Sequence, residues 1–299
     1  MWQSSYCNMA DKKEVLICIA FHYTDFTYPF VCKVLKNITD TYACTYDIVV
    51  HTNTQASADL IKNNFKNVET IVKENQGFNL TWAHREYIAK NMHNYENCMY
   101  IEDDMVVPYD SYVRYIENFW ILWPDAVPGL LRYEEVDNVK FFNELKESLW
   151  RTYIINKNDR VFAYWTRAYC ALWIAPTKIL KKCVEFLGED FLSNVNLNCQ
   201  EYVIDGVKNR HPLSRENAAS FTNWQLGKPT YIELGATPQP GEVLNIIDTS
   251  TCAHGSNKYF GVLKVKPGER WDNIKYSPTV KPTDFIHPGE SFTYKIHNL

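Results

Sequence analysis

Cys98-Met-Tyr-Ile-Glu-Asp-Asp104 is an apolar run that stops on three consecutive acids. Four uncharged residues ahead of the acids suit a strand buried on both faces, the kind found in parallel sheets. In open α/β sheets, ligands gather outside the carboxyl ends of the strands. The run therefore predicts Glu102, Asp103 and Asp104 clustered at a strand exit. Three like charges there need water, a cation or a basic partner beside them. Hard oxygen donors so placed point to a divalent metal and a phosphorylated substrate.

Upstream of this run, Val15–Phe21, Asp47–His51 and Val68–Val72 read as strands, with helical stretches near 28–39 and 56–66 between them. Such βαβαβ alternation predicts a Rossmann-like, mostly parallel central sheet with helices on its faces, an α/β fold. Asn79 is placed to cap a helix running to Met92, with Leu80, Ala83, Tyr87, Ile88 and Met92 on one stripe. After the acidic strand, a helix from Ser111 to Leu122 is expected to bury Val113, Ile116 and Trp120.

Past Val127 the alternation changes. Leu130–Tyr133, Asn138–Phe142, Val161–Trp165 and Cys170–Ile174 read as short strands, and Pro176 opens a helix that Gly188 stops. A further helix is expected over 198–208, and the Pro- and Gly-rich stretch from Pro229 on predicts loops and short strands. The organisation is thus a polar lead-in at 1–12, a nucleotide-binding half at 13–126, a mixed acceptor-side half at 127–260, and a tail at 261–299 packed on the body.

Composition excludes several classes. With 299 residues, 46% hydrophobic content and 22% charged content, this is ordinary globular chemistry. A net charge of −4 without a basic tract gives no footprint for nucleic acid or an anionic membrane. No apolar stretch approaches the ~20 residues that span a bilayer. The first residues lack a basic region followed by an apolar one, so no signal peptide is predicted. Nine scattered cysteines without a C-x-x-C pair argue against zinc-ribbon and thioredoxin-like sites and fit reduced thiols in the cytoplasm. The sequons at Asn37 and Asn79 are then expected to be unused. No Gly-rich dinucleotide fingerprint, P-loop or G-x-S-x-G elbow occurs.

Tyr100-Ile101-Glu102-Asp103-Asp104 resembles the acidic motif of GT-A-fold glycosyltransferases. With Leu80-Thr81-Trp82-Ala83-His84-Arg85, Pro128-Gly129-Leu130-Leu131-Arg132 and Arg215-Glu216-Asn217-Ala218-Ala219, the chain is similar to a group of eukaryotic and giant-virus transferases. That group includes chlorovirus enzymes that build capsid glycans, one of them a xylosyltransferase. The resemblance covers roughly residues 14–260. It implies a hexosyl- or pentosyltransferase that uses Mn²⁺ or Mg²⁺ and a UDP-sugar donor, xylose among the candidates, with a glycan acceptor. It also implies inversion at the anomeric carbon and, for a viral chain, work in the host cytoplasm. Oligomeric state stays open.

Carried onto this sequence, the resemblance gives Asp104 to the metal, Asp103 to the ribose or sugar, and Glu102 to their support. Cys252-Ala253-His254-Gly255-Ser256-Asn257-Lys258-Tyr259 resembles the H-G-x-x-K segment that completes the metal site in glycogenin-type transferases. His254 would then be a metal ligand and Lys258 a phosphate contact, although Tyr259 stands where that motif has Pro. Topology places Phe21, His22 and Asn53 against the nucleotide, and the resemblance puts Arg85 near its phosphates.

An inverting transferase needs a carboxylate to deprotonate the acceptor hydroxyl. Asp190, Glu201, Asp205 and Glu216 fall in the window where this fold supplies it, and Asp205 or Glu216 is preferred. Tyr164, Trp165, Trp173, Trp224 and Tyr231 are candidates to stack on the acceptor sugar. Two other functions remain open at this level. One is a nucleotidyltransferase, which shares the α/β half and acidic site but would show a Gly-rich, basic loop after the first strand. The other is a catalytically silent carbohydrate-binding protein of the same fold.

Overall fold

The computed structural model describes residues 12–74, 76–136, 139–142, 154–165, 171–187, 201–204, 207–210, 230–236 and 246–256. Its centre is a sheet built from β1 (Lys13–Phe21), β2 (Tyr46–Thr52), β3 (Val68–Val72), β4 (Tyr95–Glu102) and β11 (Leu172–Pro176), in the order β11-β4-β1-β2-β3. The pairs β1–β2, β2–β3 and β1–β4 are parallel, and β11 closes the edge antiparallel to β4. Continuous apolar sequence is what such doubly covered strands require. Val15, Leu16, Ile17, Cys18 and Ile19 are fully buried, as are Cys98, Met99 and Tyr100 in the neighbouring strand. Enclosing each such aliphatic side chain is worth about 1.5–3 kcal/mol.

Helices cover this sheet. In α1 (Tyr28–Thr41), Val31, Val34, Leu35 and Ile38 form the buried stripe, at the i, i+3, i+4, i+7 spacing of one helix face. The α2 helix (Gln55–Asn64) begins where the Thr54 hydroxyl accepts from the Ser57 amide. The expected Asn79-capped helix is two pieces: a 3-10 turn over Gly77–Trp82 runs into α3 (Ala83–Asn91). Ile88 is buried as expected, but so are His84 and Arg85.

The α4 helix (Tyr109–Leu122) corrects the predicted face at Trp120. Tyr112, Tyr115, Phe119 and Leu122 are buried, whereas Trp120 is 47% exposed. Val113 and Ile116 of the expected stripe are half-buried against the core, but the neighbouring stripe that carries the tyrosines is the more deeply enclosed one. Tyrosine serves there because its hydroxyl finds a partner, as Tyr112 does with Asn97.

Two smaller sheets lean on the centre. One has the order β5-β15-β7-β8, from β5 (Met105–Val106), β7 (Leu131–Val136), β8 (Val139–Phe142) and β15 (Thr251–His254). The other has the order β6-β14-β10-β9, from β6 (Val127–Pro128), β9 (Ile154–Lys157), β10 (Arg160–Trp165) and β14 (Thr230–Leu234). Positive φ at Asn158 and Asp159 makes the tight β9–β10 turn, a conformation these residue types tolerate. Buried Glu233 on β14 takes a two-pronged bond from Arg114 and a third from Asn118, which ties this sheet to α4. The α5 helix (Thr177–Leu187) follows β11, with Pro176 as the last strand residue rather than the first helical one.

Where the described residues fall within the predicted helix over 198–208, they form instead the antiparallel pair β12 (Glu201–Ile204) and β13 (Val207–Arg210). Its sequence explains the correction. Val203, Ile204 and Val207 are β-branched, which favours strands over a helix. Among the described residues no helix is long and apolar enough to cross a membrane. The cysteines at 18, 32, 44, 98, 183 and 252 are free thiols.

Candidate active site

The chain winds from β1 through β2 to β3 on one side, then returns to place β4 on the other side of β1. The carboxyl ends of β1 and β4 therefore flank the topological switch point, the crevice where open α/β sheets take ligands. Glu102, the last residue of β4, lies in register with Ala20 near the end of β1. Asp103 and Asp104 form the turn that follows, and β5 begins at once. Behind the turn, Ala171 accepts the Glu102 amide at 3.0 Å. Ala171 holds a left-handed φ of 52°, which costs a residue with a Cβ and is sustained only by surrounding structure.

A remote strand completes the turn. β15 pairs antiparallel with β5, His254 against Met105, and parallel with β7, Ala253 against Tyr133. This register brings His254 to Asp104, with Nε2 3.1 Å from Oδ2. Its other ring nitrogen, Nδ1, is 2.7 Å from Glu134 Oε1 on β7. The Ser256 hydroxyl donates to Asp104 Oδ2 at 3.0 Å, and the Gly255 amide donates to the Asp104 carbonyl at 2.6 Å. A side chain at 255 would set its Cβ 3.3 Å from that carbonyl, so glycine permits the close approach. Asp104, Glu134 and His254 are all buried, Glu134 completely. Burial, the largest influence, lowers the imidazole's pKa, but bonds to Asp104 and Glu134 outweigh it and the net shift is upward.

Carboxylate oxygen and imidazole nitrogen are sound ligands for a divalent first-row cation. Among the described residues no three His, Cys, Asp or Glu side chains converge as a closed metal cage. Two protein donors that leave the other positions to water or phosphate oxygens are what a magnesium-type substrate site uses. The donor set therefore fits an open site.

At the end of β1, the Tyr23 amide donates to Asn53 Oδ1 at 2.9 Å, and Asn53 Nδ2 lies 3.3 Å from His22 Nε2. Thr24 and Thr27 close the loop by exchanging amide and hydroxyl bonds. His22 and Asn53 therefore sit together at the crevice mouth. Phe21 is fully enclosed, in edge contact with Tyr23. Arg85 is only 1% exposed and lies 4.0 Å over the Trp82 ring, so as placed it has no open face for a phosphate. Burial lowers its pKa to about 9. Trp173 is likewise interior, donating to His84 at 3.2 Å, which removes it from the sugar-stacking candidates. Tyr164 and Tyr231 pair on the second side sheet with centroids 5.6 Å apart.

Lys258, Asp205, Glu216, Asp190 and Trp224 lie outside the described residues. Glu134 and Ser256 are the members that sequence reasoning missed. Ser256 sits inside the H-G-x-x-K-like segment and was readable there. Glu134 belongs to a Glu134-Glu135 pair on a strand, and only strand alternation marks it as the inward one.

Fold and site together define an α/β chain with an acid–imidazole cluster at the switch point of a Rossmann-like sheet. No family model matches the chain, and no curated protein matches it in sequence. Among solved structures, it is similar to a 4-diphosphocytidyl-2C-methyl-D-erythritol synthase at 12% identity and TM-score 0.33, over 58% of this chain and 80% of that one. It is also similar to a CMP:2-keto-3-deoxy-manno-octonic acid synthetase complexed with CTP, at 10% identity and TM-score 0.42, over 73% and 88% of the two chains. Likeness of this degree carries no argument about activity.

Proposed function

We propose that the chain is a metal-dependent glycosyltransferase that moves a sugar from a UDP-sugar to a glycan hydroxyl with inversion. The observation that carries this reading is the 3.1 Å approach of His254 to Asp104 across 150 residues of sequence. Asp104 and His254 would hold Mn²⁺ or Mg²⁺, which when bound neutralises charge on the departing diphosphate. Asp103, half-buried beside them, would meet the ribose or sugar. His22 and Asn53 would border the nucleotide and Lys258 its phosphates, with Asp205 or Glu216 taking the acceptor proton. In this reading residues 13–126 are the nucleotide-sugar half and 127–260 the acceptor half, interlocked because β11 completes the central sheet. Xylose as the donor sugar rests on the family resemblance alone.

The second reading is a nucleotidyltransferase, which shares the α/β half and the acidic site. What favours the first is the β1–α1 loop. No glycine precedes Gly77, so the loop lacks the bare backbone with which phosphate-cradling turns approach a triphosphate. Aromatic and threonine side chains fill it instead. Thermal-shift and turnover assays with UDP-, GDP- and CMP-sugars, and with the four nucleoside triphosphates, separate the two. Mn²⁺-dependent release of UDP, lost in Asp104→Ala, is the expected result. Pyrophosphate release from a triphosphate would establish the second reading, and indifference to every nucleotide would leave a silent protein.

A further inference from the structure

We propose that Glu134 is the positioning residue that makes His254 a metal ligand; the inference rests on the metal reading above. A carboxylate accepts hydrogen bonds, so at 2.7 Å the proton between Glu134 Oε1 and His254 Nδ1 belongs to the imidazole. With Nδ1 fixed as donor to Glu134, Nε2 is the nitrogen left to face Asp104 Oδ2 and the Ser256 hydroxyl, and a cation taken up there would replace the proton that Nε2 shares with Asp104. A metal-ligating histidine needs this arrangement, with its far nitrogen anchored to a carboxylate that fixes tautomer and ring plane.

The backbone explains why the anchor holds. β7 and β15 run side by side in parallel, with Tyr133 against Ala253, so the next residues along, Glu134 and His254, are also adjacent. Both side chains are enclosed, at 0% and 2% exposure, where a misplaced carboxylate would have no water to retreat to. Arg132 is two residues earlier on β7, hence on the same strand face, and its charge reaches His254. Glu134 bonds the imidazole directly, and its role is orientation, not contact with substrate.

The test uses the full chain and Mn²⁺ as the probe, with free Mn²⁺ read by electron paramagnetic resonance, alone and with UDP present. Glu134→Ala is expected to weaken Mn²⁺ binding by about 10- to 100-fold. Glu134→Gln keeps an acceptor oxygen for Nδ1–H and should restore most of it. Wild-type affinity in a folded Glu134→Ala protein would overturn the assignment while leaving the metal site intact. A wild-type chain that takes no Mn²⁺ in either condition would overturn the metal reading itself. Should Glu134→Ala fail to fold, nitrogen-15 correlation spectra of the wild-type His254 ring decide. Nδ1 protonated is expected, and a ring protonated on Nε2 alone refutes the proposal.

Discussion

His84 and His254 are buried to the same degree, 1% and 2% exposed, yet their environments push them in opposite directions. His84 stacks on Tyr100 with ring centroids 3.9 Å apart, accepts from the Trp173 indole, and sits next to Arg85 in sequence. Burial first, then Arg85 and His51, hold its pKa well below the ordinary value. His254 meets two carboxylates instead, and its pKa rises despite burial. Enclosure alone therefore does not say what a histidine is for. Its nearest charges do: a cationic neighbour leaves a neutral packing ring, and flanking acids leave a nitrogen that competes for a cation.

The widest separation between the two should appear in metal-linked activity. His254→Gln is expected to lower Mn²⁺-dependent turnover by about 100-fold or more, the scale of losing a group that stabilises transition-state charge. His84→Gln should leave Mn²⁺ affinity unchanged. Equal effects of both substitutions on affinity would erase the distinction. In stability the order reverses. His84→Ala removes a stacked ring and strands the Trp173 donor, and should cost about 3 kcal/mol or more in denaturant unfolding.

That contrast also marks what the sequence could tell. The parallel sheet was legible because β1 and β4 are apolar without interruption, and the acids at the end of β4 located the crevice. What gives His254 a different environment from His84 is a strand pairing between residues 131–133 and 251–253. The motif-like segment gave His254 a reason to be singled out. Glu134 had none, because its meaning comes wholly from that pairing. Trp120 failed for another reason: α4 offers two apolar stripes one residue apart, and periodicity alone does not rank them. The expected helix over 198–208 failed because the β-branched Val203, Ile204 and Val207 favour strand pairing over a short helical pattern.

A third histidine sharpens the neutral side of the comparison. His51 on β2 is 1% exposed, in edge contact with Tyr87, and neither ring nitrogen has a hydrogen-bond partner among the described residues. Burial, then the Lys73 charge, lowers its pKa from 6.5 to about 4. The unfolded chain therefore takes up this proton first as pH falls, so the stabilising contribution is present above pH 6.5 and lost on descending to 4. This one group should cost about 2 kcal/mol between pH 7 and pH 5. His51→Leu should flatten that part of the profile in denaturation series at the two pH values. An unchanged slope would mean that the loss arises at His84 or elsewhere.

The smallest expected effect is the most local. Gly255 follows His254 and donates its amide to the Asp104 carbonyl, so it fixes the distance between the two proposed ligands. In Gly255→Ala the new methyl meets that carbonyl at 3.3 Å, and the contact is backbone, which yields less easily than a side-chain tip. Relief requires the acidic turn to move by a few tenths of an ångström. Stability should fall by less than about 1 kcal/mol, since overpacking by one methyl near a surface turn can relax. Mn²⁺ affinity should fall several-fold because Asp104 and His254 no longer share one approach. The contacts around His84, on α3 and β4, are untouched. An alanine variant with native affinity would show that the Asp104–His254 spacing is set by the β5–β15 pairing and not by the glycine beside it.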